Sequence, residues 1–173
     1  MSRGAAGLQT AVLETTWGEI AIEAGSRGVV ACRLPHASAQ TVAFRVLRVR
    51  FSRGAGPVLR QAVAYARRLL AGHAPGKPPA LESRVLAEAP EFRRAIWKGL
   101  RKLPRGRTAT YAELARQAGH PGAARAAGSA CGANPVPLFV PCHRAVAANG
   151  GRGGFSAGLA WKDLLLTGEG AMR

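Results

Sequence analysis

Cysteine is scarce in this 173-residue chain. The three present, Cys32, Cys131 and Cys142, are too few and too scattered for a disulfide framework, and no CxxC pair or CxxC…HxxxH spacing offers a structural metal site. The expected setting is reducing and intracellular, without a bound metal. No run of about 18 apolar residues occurs, which excludes a membrane-spanning helix. The opening MSRGAAGLQT also lacks the apolar stretch a leader carries, so an unexported, cytoplasmic protein with no membrane partner is expected. Charge is sparse for a disordered chain, 20% against 47% hydrophobic residues, so a real core is expected. Acidic side chains are the most depleted: nine stand against 25 basic ones, a formal net charge of +16. Such a balance calls for a polyanionic partner, nucleic acid or an anionic membrane surface. Only four of the basic residues are Lys, and abundant Arg, Ala and Gly suit a GC-rich coding sequence as well as any function. The length allows one compact domain or two small ones and excludes a solenoid.

What is present falls into two patterns. Two β-rich runs, Ala11 to Ile22 and Val29 to Leu34, flank Gly25-Ser26-Arg27-Gly28, which predicts a hairpin. VAFRVLRVRF, Val42 to Phe51, alternates as a half-exposed third strand would. Pro57 opens a run with Val58, Leu59, Ala62, Tyr65, Ala66, Leu69 and Leu70 at helical spacing, closed by Gly72. The stretch from His73 to Ala80, rich in Pro and Gly, reads as a linker, with a boundary between residues 73 and 88. Beyond it the pattern turns helical. Phe92, Ile96, Leu100 and Leu103 form one stripe, and Thr110-Tyr111-Ala112-Glu113 has the form of a capping box opening a helix to about Ala118. A turn, Gly119-His120-Pro121-Gly122, separates it from a helix running from Ala123 to about Gly132, a helix-turn-helix arrangement. That second helix is almost wholly Ala, Gly and Ser, with Arg125 as its one long side chain. Small residues permit close approach either to a neighbouring helix or to the wall of a DNA groove, and the basic charge favours the latter.

Asn134-Pro135-Val136-Pro137 ends that helix, and Leu138-Phe139-Val140 reads as a short buried strand leading to Pro141-Cys142-His143-Arg144. Pro at a first helical position would set Cys142 at a helix N-terminus, where free amides, with His143 and Arg144 nearby, favour the thiolate and lower the thiol pKa from about 8.5 toward neutrality. The alternative is a small buried hydrophobe, the reading accepted for Cys32 and Cys131. A Gly-rich loop, Asn149 to Gly158, matches no phosphate-binding signature, and a final helix from about Leu159 to Thr167 ends at Gly168-Glu169-Gly170.

In order, TYAELA, AARAAG, NPVP, LFV, PCHR, GGRGGFSAG and KDLLLTGEG closely resemble the motifs of the O6-alkylguanine-DNA alkyltransferase family across residues 90–170. The TTWGEIAIEAGSRGVVACRL hairpin resembles it more loosely. The resemblance implies an α/β N-terminal domain over residues 1–80, a small antiparallel sheet with a helix, RNase H-like and mainly structural. It implies a mainly α C-terminal domain over residues 81–173 carrying the helix-turn-helix, DNA binding and the alkyl acceptor. By the same resemblance Cys142 accepts the alkyl group, His143 polarised by Glu169 takes the thiol proton through a water, and Tyr111 donates to the leaving guanine. Arg125 fills the stack left by the flipped nucleotide, and Ala123, Ala124, Ala126 and Ser129 face the minor groove of double-stranded DNA. Asn134, Ala145, Phe155, Ser156 and Ala157 are expected around the substrate base. The reaction uses no cofactor and stops after one event, and a monomer is expected, nucleoid-associated if the source is bacterial. Phe155 stands where Tyr is usual, Ala157 where Gly is usual, and Ala127 and Ala145 where Val is usual. The alternative on the same fold is a lesion-binding sensor that holds the base without transfer; a Cys-His hydrolase ranks behind both.

Overall fold

Alternating inward positions, Ala11 and Leu13 in β1 (Gln9–Thr15) and Ile20 and Ile22 in β2 (Gly18–Ala24), build the first two strands of an antiparallel sheet. The computed structural model describes residues 7–37 and 42–172. Residues 1–6, on which the leader argument rests in part, lie outside the described residues. With β3 (Val29–Arg33) and β4 (Val46–Phe51) the sheet has four strands in the order β3-β2-β1-β4, one more than the sequence pattern suggests. The run from Ala11 to Ile22 divides because Gly18 takes a left-handed φ of 115°, and Thr15 pairs back with Gly18 across a tight turn. β4 is shorter than Val42 to Phe51 for a similarly local reason. The carbonyls of Val42, Ala43 and Arg45 are taken by Trp17 Nε1 at 2.7 Å, Thr16 Oγ1 at 2.8 Å and Thr16 N at 3.0 Å, which ties residues 42–45 to the β1–β2 turn instead of to the ladder.

One face of the sheet is covered by α1 (Pro57–Leu70), whose Leu59, Ala62, Val63, Ala66, Leu69 and Leu70 are buried. Burying this apolar layer stabilises by about 25 cal/mol per Å2 of area removed from water. The linker-like stretch that follows is docked: Val29 N donates to Ala80 O and Glu82 N to Val29 O, both at 2.9 Å. Gly28 makes that contact possible, since a Cβ there would come within 2.3 Å of the Leu81–Glu82 backbone. A short helix, α2 (Ser83–Ala87), stands in this region, where the sequence carries no helical stripe.

The helices α3 (Glu91–Lys102), α4 (Tyr111–Gln117) and α5 (Ala124–Gly132) pack against one another. Thr110 and Glu113 cap α4 reciprocally, as the capping box predicts. The segment Leu138-Phe139-Val140 is buried but is not a strand. Phe139 N and Val140 N both donate to Val136 O, and Leu138 has φ 76°, so the prolines at 135 and 137 are followed by a helical turn with no neighbouring strand to pair with. The only ladder in this half among the described residues joins β5 (Ala109–Thr110) in parallel to β6 (Ala145–Val146). It matters greatly, because Tyr111 directly follows β5 and Cys142-His143-Arg144 directly precede β6. Finally α6 (Leu159–Gly168) packs on α1, with Trp161 Nε1 donating to Pro35 O at 2.7 Å. No described helix is long and apolar enough to cross a membrane.

Candidate active site

Cys142 opens a single 3-10 turn, Cys142–Arg144, and lies at the bottom of a cavity of about 580 Å3 between α4, α5 and the Gly-rich loop. Tyr111, Ala124, Arg125, Phe155 and Ser156 also line that cavity. Arg125, Ala126 and Ser129 are exposed on the outer face of α5 and Ala123 is half-buried, while Ala127 and Ala130 point inward. Asn134, Ala145 and Ala157 do not line the cavity. Asn134 lies behind the thiol, donating from Nδ2 to Val140 O at 2.8 Å and to Cys142 Sγ at 3.1 Å while its Oδ1 accepts from Val136 N. Ala145 is wholly buried in β6, and the Ala157 carbonyl accepts from Ala37 N.

The thiol differs electrostatically from the sequence expectation. Burial pushes the Cys142 pKa up, and the Asn134 amide, Lys162 and the amides of Cys142 and His143 only partly oppose it. A three-residue turn carries little dipole, and the two cations expected to help are otherwise engaged. Arg144 grips Glu169 with Nε at 2.9 Å and Nη2 at 2.7 Å, and its Nη1 donates to Leu103 O. His143 is held neutral because burial lowers its pKa, outweighing the pull of Glu169. A thiol of this kind needs a base at the moment of reaction.

That base is built around Glu169. Burial would raise its carboxyl, but the bonds from His143 and Arg144 prevail and bring it down to about 2. As an ionised carboxylate it accepts only, so the 3.1 Å contact assigns the proton to His143 Nε2 and leaves Nδ1 as the basic nitrogen. Nδ1 is buried and makes no hydrogen bond among the described residues. The arrangement is a neutral imidazole, oriented from behind by a carboxylate, with its lone pair free beside the thiol turn.

Tyr111 faces the thiol from α4. Its hydroxyl accepts from Gly154 N at 3.3 Å and lies 3.4 Å from Gly154 O, and burial raises its pKa so that it stays a donor. Gly153, at φ 66°, is needed there, since a Cβ would come within 2.7 Å of the Tyr111 hydroxyl. Two residues at the site carry no role in the sequence analysis, although Lys162 opens the KDLLLTGEG motif. Cys131 lines the cavity beside Cys142, its own pKa pushed up to about 12 by burial. Lys162 is entirely buried and donates from Nζ to Ala145 O at 2.5 Å and Gly154 O at 3.2 Å, joining the thiol segment to the Gly-rich loop. The signal for Lys162 is helical phase: Trp161, Lys162, Leu165, Leu166 and Glu169 share the buried side of α6. Among the described residues no group of His, Cys, Asp and Glu side chains is arranged to hold a metal ion.

The chain resembles proteins of known family. Residues 91–171 match the family model for the 6-O-methylguanine DNA methyltransferase DNA-binding domain. A methylated-DNA–protein-cysteine methyltransferase of Methanosarcina acetivorans is 39% identical over 106 residues, covering 61% of this chain and 68% of that one. Its counterpart from Shigella flexneri is 48% identical over 79 residues, 46% of each chain, so this chain spans about half of that relative's length. The solved structure of Mycobacterium tuberculosis OGT in complex with DNA superposes with a TM-score of 0.72 at 29% identity, over 92% of this chain and 91% of that one. This chain belongs to the methylated-DNA–protein-cysteine methyltransferase family.

Proposed function

We propose that this protein repairs DNA by transferring an alkyl group, methyl in the simplest case, from O6 of guanine to its own Cys142. The observation that carries the proposal is the single cavity in which Cys142, Tyr111 and Arg125 meet, backed by the buried His143–Glu169 pair. His143 Nδ1 takes the thiol proton, through one water, and Sγ attacks the alkyl carbon. The Sγ–C bond forms as the C–O6 bond breaks, and the electron pair passes into the guanine ring. Tyr111 supplies a proton to the developing charge at ring nitrogen 3. The product is a thioether, a poor leaving group, so each molecule reacts once; no cofactor enters the balance.

The damaged base must leave the duplex to reach a thiol at the bottom of a cavity. Arg125, exposed at the cavity rim, fills the gap, while Ala123, Ala124, Ala126 and Ser129 let α5 approach the minor groove of double-stranded DNA closely. On this reading α4, the turn and α5 act as a helix-turn-helix, residues 81–173 are the DNA-binding and acceptor domain, and residues 1–80 an RNase H-like structural domain, in a cytoplasmic monomer. Asn134 and Ala145 support the thiol segment from behind, and Phe155, Ser156 and Ala157 belong to the loop over the base. Binding is expected to fall steeply with salt and to show little sequence preference, since contacts are mainly to phosphate.

The test is intact mass after mixing the protein with a duplex bearing one O6-methylguanine, with Cys142→Ala alongside. A stoichiometric gain of one CH2, absent in the variant, is the expected result. Tight binding without a mass change would identify a lesion sensor and overturn the transfer reading.

A further inference from the structure

On the far side of Arg144 from the thiol cavity lies a second cavity of about 320 Å3, bounded by the Phe139–Pro141 segment, the end of α3 and the residues that follow α1. Three arginines, Arg101, Arg105 and Arg144, are among the residues that line it, together with Tyr65 and an otherwise apolar wall. Their charge is poorly matched. The only ion pair any of them makes among the described residues is Arg144 with Glu169, so two positive charges remain uncompensated around one concave site.

Two of the polar groups at this cavity, Arg144 and Tyr65, are buried in the fold, and Arg105 is exposed at its edge. Arg144 is only 7% exposed and is fixed by Glu169 and Leu103 O. Arg101 is half-buried, its Nη2 3.4 Å from Pro79 O, and Arg105 reaches the carbonyls of Gly72 and Gly168. Each guanidinium carries five N–H donors, so these carbonyl contacts leave donors free. Tyr65 is 9% exposed, its ring packs 5.8 Å from that of Phe139, and its hydroxyl makes no hydrogen bond within the described residues. Burial raises the pKa of that hydroxyl, against the pull of Arg144 and Arg101, so it remains protonated and able to donate.

We infer that this cavity is a binding site for a small phosphate-class oxyanion, free or as a phosphate monoester, held by Arg101, Arg105 and the Tyr65 hydroxyl against Arg144. A dianion matches the two uncompensated charges, and planar guanidinium forks match the spacing of phosphate oxygens. A carboxylate would supply half the charge and fewer acceptors. The same site is adjacent to the proposed chemistry without depending on it: Arg144 touches the cavity on one side and Glu169 on the other.

The test is calorimetric titration of the full chain with inorganic phosphate, a deoxynucleoside 5′-monophosphate and acetate at matched ionic strength, with thermal melts in parallel. Saturable phosphate binding, with a melting temperature that climbs with the logarithm of phosphate concentration, is expected. Binding of the nucleotide as well would show that the cavity admits a monoester; binding of phosphate alone would restrict it to the free ion, and both support the site. Arg101→Gln should weaken phosphate by roughly tenfold, the loss of one charged hydrogen bond. Tyr65→Phe, which keeps the ring packing, should weaken it several-fold without lowering the melting temperature of the phosphate-free protein. The surface control Arg48→Gln should leave the affinity unchanged. No saturable phosphate binding, an equal response to acetate, or unaltered affinity in the folded Tyr65→Phe variant would overturn the proposal.

Discussion

The sheet with α1 buries almost only hydrocarbon, whereas the region from Asn134 to Glu169 buries charged and polar groups among its apolar side chains. Under the sheet the interior is hydrocarbon: Ala11, Leu13, Ile20, Ile22, Leu59 and Leu69 are almost wholly inaccessible, and only Thr15 among the buried residues of β1, β2 and α1 apart from Tyr65 carries a polar group. Around the thiol the interior holds Asn134, His143, Arg144, Lys162 and Glu169, every one with at least one hydrogen-bond partner. Burying polar and charged groups is unfavourable even when they are paired, whereas well-packed hydrocarbon stabilises directly. The difference teaches that the first region is organised for stability and the second for chemistry that needs its groups fixed and desolvated.

Substitutions can sharpen or break that contrast. Glu169→Gln should have the largest effect. It leaves Arg144 without its carboxylate and removes the orienting acceptor of His143, so the alkyl-transfer rate should fall by on the order of a hundredfold or more. Stability should drop by about 3–5 kcal/mol as a buried pair is broken. Single-turnover kinetics and urea unfolding would measure both, and an unchanged rate would refute the assigned role of the pair.

Leu13→Ala, in the hydrocarbon region, should cost about 2–5 kcal/mol of stability through the cavity it leaves. The transfer rate per folded molecule should not change. If that rate fell as steeply as for Glu169→Gln, the two regions would not be functionally separable.

Acid should unfold the protein through the polar region. His143 is lowered from 6.5, so the unfolded chain binds a proton that the buried imidazole refuses, and stability declines as pH falls below that value. Glu169 moves from 4.5 to about 2, and its contribution, complete above 4.5, is lost as pH falls from there toward 2. Denaturant midpoints between pH 7.5 and 3 should therefore decrease in two stages, the lower one flattened in Glu169→Gln. The smallest global effect is expected for Lys162→Met. An apolar chain of similar length replaces a buried cation, so stability should change by only about 1 kcal/mol. Hydrogen exchange across residues 149–158 should accelerate, because the tie between Ala145 O and Gly154 O is gone.

Local signals proved informative where the interaction itself is local. The Thr110–Glu113 capping box, the α1 stripe that begins at Pro57 and the break at Gly72 all depend on neighbours within a few residues. The β1–β2 turn was less legible, since Trp17-Gly18 interrupts an uninterrupted β-rich pattern by a single left-handed glycine. The strand expected at Leu138 to Val140 failed because apolar composition reports burial and not a pairing partner; the prolines on either side and the positive φ of Leu138 give a turn instead.

Sequence by itself determined which residue types the site contains and their order along the chain, from Tyr111 through Arg125, Asn134 and Cys142 to Glu169, because motif spacing and helical phase are properties of the chain. Only the tertiary structure decided their protonation and their partners. The parallel pairing of Ala109 with Ala145 brings Tyr111 over the thiol, and α6 returns Glu169 to His143 and Arg144 from 26 and 25 residues away. Whether a thiol is acidic or an imidazole neutral depends on how much water is excluded and which charges lie within a few ångströms, and both are set by contacts between distant segments.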